Sequence, residues 1–353
     1  MTLLFASGTP HLPQIVGGLE VNTHHLALEM NKRGLPVAVL SKLSLRDLFG
    51  ASRFVANKIR RRDISVDRKL GYPVYRSLKP WRDVRDLDNP DIVIVQNGNM
   101  VEIGRTFRSK GVPSVAYLHG LEFDTGPRAW KGSGQDLPFS AYIANSNFTA
   151  TRFEKRFGIK PPIIPPVFIS DLYRTQGRGT YVTFINPIYT KGLALALELA
   201  RLCPQIPFLF ARGWPLSARE EAELKQNLKA LPNVTLLQRS SNMSEIYART
   251  RILLVPSQWD ETWGRVVSEA QISGIPVIAT TAGALPESVG PGGILLDREA
   301  PPAVWARELR GLWADQDFYE SKRSAALSYA ARPDLDVELQ ISRLLAILEG
   351  VAR

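Results

Sequence analysis

Twice along this chain, short apolar runs rich in branched residues alternate with stretches of helical spacing, and that double alternation constrains the fold more than any other feature. Residues 3–6, 37–40, 92–95, 114–117 and 141–144 read as strands, with helical segments between several of them. Strands that stay apolar along their whole length are buried on both faces, which points to a parallel sheet covered by helices. The pattern breaks at Pro161-Pro-Ile-Ile-Pro-Pro166 and through the polar stretch 174–180. A second series then runs over residues 181–185, 207–210, 234–237, 252–255 and 277–279. The chain is predicted to be α/β, with two doubly wound domains over residues 1–172 and 173–333 and a last helix over about 334–353 that packs back on the first. Two such domains facing each other leave a central cleft at the carboxyl ends of both sheets, where folds of this type bind ligands.

Composition agrees with two cores of ordinary size: the chain has 353 residues, 44% of them hydrophobic. The lone cysteine, Cys203, excludes an internal disulfide and is expected to be a buried, inert thiol. Residues 1–7 lack a basic leader region and read as a first strand rather than a signal peptide. No apolar stretch approaches the roughly 18 residues that cross a bilayer, so a soluble cytoplasmic protein is the default expectation. No Gly-x-Gly-x-x-Gly follows the first strand, which argues against a dinucleotide oxidoreductase. The four histidines, His11, His24, His25 and His119, come without paired cysteines, and neither a metal nor another cofactor is expected.

The most chemistry lies in Pro256-Ser-Gln-Trp-Asp-Glu-Thr-Trp-Gly-Arg-Val-Val-Ser-Glu-Ala-Gln-Ile-Ser273. Residues 252–255 form an apolar strand that Pro256 ends, and residues 266–272 have helical spacing that Gly274 stops. A helix beginning near Thr262 to Gly264 presents unpaired N–H groups and a positive dipole end to an anion, and Gly264 lets that anion come close. At about 1.5 Å per residue, Glu269 lies about 6 Å beyond Arg265, within reach of a group one ribose away from a phosphate seated there. Glu261 lies ahead of the first turn. Carboxylates accept hydrogen bonds from sugar hydroxyls, so two of them flanking a phosphate cradle suit a nucleotide-diphosphate sugar. Taken alone, two glutamates eight residues apart also fit a solvated helix; the surrounding residues distinguish the two.

The stretch resembles the signature of glycosyltransferase family 4, the retaining nucleotide-sugar enzymes of GT-B fold. The matching residues are Pro256, Ser257, Glu261, Trp263, Gly264, Glu269, Gly274-Ile-Pro-Val-Ile-Ala279 and Gly283-Ala-Leu-Pro-Glu287. The resemblance implies GT-B architecture, with two Rossmann-like doubly wound domains, and a donor-binding role for the second. It places the donor sugar on Glu261, the ribose on Glu269 and the diphosphate on the backbone of Thr262, Trp263, Gly264 and Arg265. Ala284 stands where the family usually has a second glycine.

Further elements carry the same resemblance. Gly17 and Gly18 stand before a helix containing Leu26, Leu28 and Met30 that Gly34 closes; paired glycines allow positive φ and close approach to a ligand, and the loop resembles the family's glycine loop. Lys191, in Asn186-Pro-Ile-Tyr-Thr-Lys-Gly192, follows the first strand of the second domain and opens the helix over residues 193–202. The spacing resembles the family's Arg-to-Lys-Gly motif, whose two cations neutralise the leaving diphosphate. Here Asn186 takes the arginine position, with Arg212 and Arg265 as candidate substitutes. His119 follows the strand 114–117, and in the family a histidine at this point contacts the donor sugar. Glu122 and Asp124 read either as acceptor ligands or as loop solubilisers. Base selection is expected from backbone groups over residues 237–243.

Charge is uneven. The chain carries a formal +10, and residues 42–85 alone hold thirteen Lys or Arg against four Asp. Leu45, Leu48, Phe49, Val55 and Ile59 recur at helical spacing among Arg46, Arg53, Lys58 and Arg60-Arg61-Arg62. Such a helix either packs into the core with a solvated basic face or lies on an anionic membrane, and nucleic acid is not an expected partner. Three functions fit the whole reading. One is glycosyl transfer from a nucleotide-diphosphate sugar to a glycan, lipid-linked or small-molecule acceptor. The others are nucleotide-sugar epimerisation and nucleotide-sugar binding without catalysis.

Overall fold

Among the described residues, thirteen strands form two separate sheets. The computed structural model describes every residue except Arg85, Asp86, Asp88, Pro127, Arg128, Gly177, Ser241 and Arg353. The segments 42–85, 174–180, 237–243 and 334–353 therefore each contain a residue outside the described set. One unit comprises Met1–Val167 with Val337–Arg353, and the other Phe168–Asp336.

The first unit holds β1 (Leu3–Ala6), β2 (Val37–Lys42), β3 (Ile64–Asp67), β4 (Val74–Ser77), β5 (Ile92–Val95), β6 (Ser114–Leu118) and β7 (Ala141–Ala144), in the order β3-β4-β2-β1-β5-β6-β7. All neighbours are parallel except β3 and β4. Phe5, Ala6 and the whole of β5 are fully buried, as strands covered on both faces must be. The order reverses between β1 and β5, the kind of position where an open parallel sheet presents its loops to a ligand. The edge pair β3 and β4 is absent from the sequence reading. Ile64-Ser-Val-Asp67 mixes polar and apolar residues within a basic stretch, so it lacks the continuous apolar run of the other strands. Helix Val337–Ala352 belongs to this unit, where Gln340 donates to the Pro165 carbonyl at 3.0 Å and Glu338 pairs with Arg33.

The second unit holds β8 (Tyr181–Ile185), β9 (Phe208–Ala211), β10 (Val234–Leu237), β11 (Thr250–Val255), β12 (Val277–Thr280) and β13 (Gly293–Leu296), in the order β10-β9-β8-β11-β12-β13. All are parallel. The reversal falls between β8 and β11. Phe208, Phe210 and Trp305 are fully buried between sheet and helices. The boundary lies at Val167 and Phe168, ahead of the junction expected at residue 172, because Phe168 and Tyr173 pack into the core of the second unit.

The basic segment corrects one expectation. Helix Leu48–Ile59 is capped by Asp47, whose carboxylate accepts from the Gly50 N–H at 2.7 Å, but Gly50 is its only buried residue. Leu48 is 89% exposed and Ile59 77%, and Leu45 and Val55 are exposed as well. The helix therefore does not pack an apolar face into the core. Arg53 stacks on Phe49 at 3.4 Å, and Arg60, Arg61 and Arg62 are exposed beyond its end.

A buried imidazole makes the stability of the first unit pH-dependent. His11 Nε2 lies 3.0 Å from the Tyr72 hydroxyl, and desolvation, reinforced by Arg76 and His24, pulls its pKa down to about 3. The folded state holds His11 neutral while the unfolded chain protonates it near the ordinary value of 6.5. Its contribution is thus complete above that value and lost as pH falls from 6.5 towards 3. Denaturant titrations of wild type and His11→Gln from pH 7 to pH 5 should converge by about 1.4 kcal/mol per pH unit below the ordinary histidine range. Parallel curves for the two proteins would show that His11 protonates without cost.

Candidate functional site

The loops after β8, β9 and β11 of the second unit leave adjacent strands at their carboxyl ends. Glycine brings two of them together. Gly192 has φ +93°, and a Cβ there would lie 2.0 Å from the Pro256 carbonyl oxygen, so no other residue permits this approach. Gln258 N–H donates to the Thr190 carbonyl at 2.9 Å and completes the junction. Lys191, the last residue of a single 3-10 turn, is thereby presented to the β11 loop.

Its ammonium lies 2.6 Å from Glu261 Oε1, and Ser257 Oγ donates to the same oxygen at 2.7 Å. Glu261 is only 9% exposed. The ammonium also sits 4.3 Å from the centre of the Trp259 ring and 5.5 Å from that of Trp214, which follows β9. Asn186 adopts φ +63°, and its Oδ1 accepts the Trp214 backbone N–H at 2.9 Å. The amide that stands in for an arginine thus holds the β9 loop.

The backbone of Glu261 is fixed from the other side. Gly283, at φ +62°, would place a Cβ 2.2 Å from the Glu261 carbonyl oxygen, and Ala284 N–H donates to that oxygen at 2.7 Å. Ala284 itself has φ −87°, an ordinary conformation, so the turn does not require a second glycine. Gly264, at φ +82°, precedes helix Arg265–Gln271, and a Cβ on it would strike Leu285 at 2.7 Å. Thr262 is half-buried. The Trp263 side chain is in the core, where its indole N–H donates to Ser268 Oγ at 3.0 Å, which leaves only its backbone for a ligand.

Glu269 is held on both oxygens. Tyr247 donates to Oε2 at 2.8 Å and Arg265 Nε to Oε1 at 3.2 Å, while the Arg265 guanidinium also reaches the Tyr173 hydroxyl at 3.2 Å. Burial, with the Glu269 charge beside it, raises the Tyr247 hydroxyl well above its ordinary pKa and keeps it a donor. The two arginines considered as substitute cations are both engaged by carboxylates, Arg265 by Glu269 and Arg212 by Glu221.

The remaining expected residues belong to the first unit. Gly17 has φ −135° and Gly18 opens helix Gly18–Lys32, so neither glycine uses the positive φ that its residue type allows. His119 follows β6, its ring tilted against that of Tyr117 with centres 4.0 Å apart and its Nε2 3.3 Å from Gln96 Nε2. Glu122 accepts the Gly98 N–H at 2.8 and 2.9 Å, and Asp124 pairs with Arg152 at 2.5 Å, so both brace the chain. The sequence reading assigned nothing to Trp214, Trp259, Tyr247 or Gln96. Trp259 lay inside the quoted motif, whereas the others carried no signal, because their roles depend on strands brought together by the sheet.

Two family models match the chain: "Glycosyl transferases group 1" over residues 176–333 and "Glycosyltransferase Family 4" over residues 16–167. A D-inositol 3-phosphate glycosyltransferase of Segniliparus rotundus is 31% identical over 229 residues, covering 57% of this chain and 51% of that protein. One of the same description from Corynebacterium kroppenstedtii is 38% identical over 93 residues, 26% of this chain and 20% of that one. The chain thus spans about half or less of the length of these relatives. Among solved structures, Anabaena HepE in complex with UDP aligns at TM-score 0.77 with 19% identity, over 99% of this chain and 100% of that one. Sucrose-phosphate synthase of Thermosynechococcus elongatus aligns at 0.73 with 14% identity, over 99% and 98%. With both of its units matched and its fold shared, the chain belongs to glycosyltransferase family 4 and has the GT-B architecture.

Proposed function

We propose that the protein is a retaining glycosyltransferase that moves a sugar from a uridine-diphosphate sugar to a hydroxyl of a glycan, lipid-linked or small-molecule acceptor. The observation that carries the reading is the Lys191 to Glu261 pair at 2.6 Å, almost withdrawn from water where the β8 and β11 loops meet, with Glu269 eight residues further on. The choice of uridine draws on HepE, which has been solved with UDP and with UDP-glucose. In this reading Glu269, oriented by Tyr247 and Arg265, accepts the ribose hydroxyls. Glu261 accepts those of the transferred sugar, and Lys191 meets the charge that grows on the departing diphosphate. Retention follows from a short-lived oxocarbenium-like state shielded on one face by the leaving phosphate, with no enzyme nucleophile. The reading assigns the leaving-group charge to Lys191 and to backbone N–H groups of Thr262 to Arg265 instead of a divalent ion.

The acceptor reading draws on the first unit. Leu45, Leu48, Val55 and Ile59 are exposed beside Arg60, Arg61 and Arg62, a combination that suits peripheral contact with an anionic membrane. Among the described residues no helix is long and apolar enough to cross a membrane.

Replacing Glu269 by Gln should weaken UDP binding by about 1.5–3 kcal/mol, the range for a hydrogen bond to a charged group. Calorimetry with UDP measures this, and unchanged affinity in a folded variant would remove Glu269 from the site. Lys191→Ala should depress turnover at saturating donor far more than it shifts the melting temperature, and treating the wild type with EDTA should leave turnover unchanged. Wild-type turnover in the Lys191 variant would refute its phosphate role, and loss of activity to EDTA would assign the leaving-group charge to a metal. Co-sedimentation with liposomes should rise with anionic lipid and fall with salt, each basic residue near the surface contributing about 1 kcal/mol. Exchanging Arg60, Arg61 and Arg62 for Gln should reduce it without altering donor hydrolysis. Protein that stays in the supernatant at every lipid composition would favour a soluble acceptor.

A further inference from the structure

The family pattern places two cations on the donor diphosphate, and this chain has an amide where one of them belongs. The structure shows what accompanies that exchange. Asn186, in the left-handed region at φ +63°, uses Oδ1 to hold the Trp214 N–H at 2.9 Å, and Gly213 packs on the same side chain. Trp214 is thereby set 5.7 Å, centre to centre, from Trp259. Between the two rings and Glu261 lies the Lys191 ammonium, 4.3 Å from one ring centre, 5.5 Å from the other and 2.6 Å from the carboxylate. Trp259 remains 37% exposed, so core packing does not account for its position.

We infer that Trp214 and Trp259 are positioning residues that hold Lys191 for the donor diphosphate in place of the missing second cation. The inference rests on the donor-site reading above and adds to it the means by which a single lysine suffices. When a sugar hydroxyl approaches Glu261, the carboxylate must share itself between the ligand and the ammonium. A lysine on a four-carbon stem then has several rotamers open to it. An indole face attracts the cation through its quadrupole and makes no directional hydrogen bond, so the ammonium keeps its place and retains N–H donors for phosphate oxygens. Asn186 contributes through Trp214, by fixing the loop on which that ring stands.

Fluorination tests this, because it drains the face of the ring and leaves its shape nearly unchanged. Tryptophan carrying one, two or three fluorines is introduced at position 259 alone and, in a second series, at position 214 alone. Calorimetry is run with UDP, GDP, ADP and dTDP and with the corresponding nucleosides. The affinity for the preferred nucleoside diphosphate should fall stepwise with fluorine number, by about threefold to tenfold across the series at position 259 and by less at position 214, where the ring is further away. Affinity for the nucleoside, which carries no phosphate, should stay constant. A flat series at both positions overturns the inference and leaves the donor site standing. Equal losses for nucleoside and nucleoside diphosphate overturn it too, since they would mean that the rings stack on the ligand itself. An unfluorinated protein that binds none of the four diphosphates refutes the donor-site reading and this inference with it.

Discussion

A lysine ammonium and a glutamate carboxylate 2.6 Å apart, both largely withdrawn from water, are the contact around which the second unit's loops are arranged. Taking two charges out of water costs several kcal/mol per ion, and their attraction offsets this only when the geometry is good and other donors help. The chain supplies that help from three strands. Ser257 donates to the same oxygen, Trp259 and Trp214 face the cation, and Gly192 allows the backbone approach without which Lys191 would not reach Glu261. A pair maintained at such cost in a loop region, away from the apolar core, is better suited to a ligand than to stability. Phosphate and hydroxyl groups can take over the same hydrogen bonds when they arrive.

Much of this was legible in the sequence, and the parts that were not share a cause. The strands of both sheets announce themselves because burial on two faces demands unbroken apolar runs, as in Ile92–Val95 and Phe208–Ala211. The strands Ile64–Asp67 and Val74–Ser77 do not: the first is a half-exposed edge that tolerates Ser and Asp, and the second is short and buries Arg76, which pairs with Asp67 of its neighbour. At the site, Glu261, Glu269 and Lys191 follow from a local pattern of strand end, glycine and helix start. Trp214 does not: it is 23 residues from Lys191 and 45 from Trp259, and only the β9-β8-β11 order brings the three together. The sequence leaves the basic helix open between two readings, and for a physical reason. Periodic apolar residues mark a face, and periodicity alone does not say what the face meets. Here Leu48 and Ile59 meet solvent.

The two carboxylates of the motif differ in ways their spacing conceals. Glu261 takes both of its donors, Lys191 and Ser257, on a single oxygen. Glu269 has a donor on each oxygen, Tyr247 on one and Arg265 on the other, and Arg265 is itself tied to Tyr173. Glu269 therefore belongs to a rigid network across two helices, Met243–Arg249 and Arg265–Gln271, and the segment that opens the unit. Glu261 stands on a loop pinned through its backbone by Gly283 and Ala284. A preorganised carboxylate suits a part of the ligand that stays put throughout a reaction, as a ribose does. One that exchanges partners suits the part that leaves.

The departures from the family pattern become intelligible on the same footing. Ala284 is accepted because φ at that position is −87°, whereas Gly283, at +62° and pressed against the Glu261 carbonyl, has no substitute. Asn186 is accepted for a different reason. Its left-handed backbone is one that asparagine tolerates better than most residues, and its side chain spans from the β8 loop to the β9 loop. An arginine there would bring a second charge but would lack the short acceptor that holds the Trp214 N–H. On the inference drawn above, one cation is exchanged for tighter control of the other, and the strand order makes this possible by placing β8 between β9 and β11.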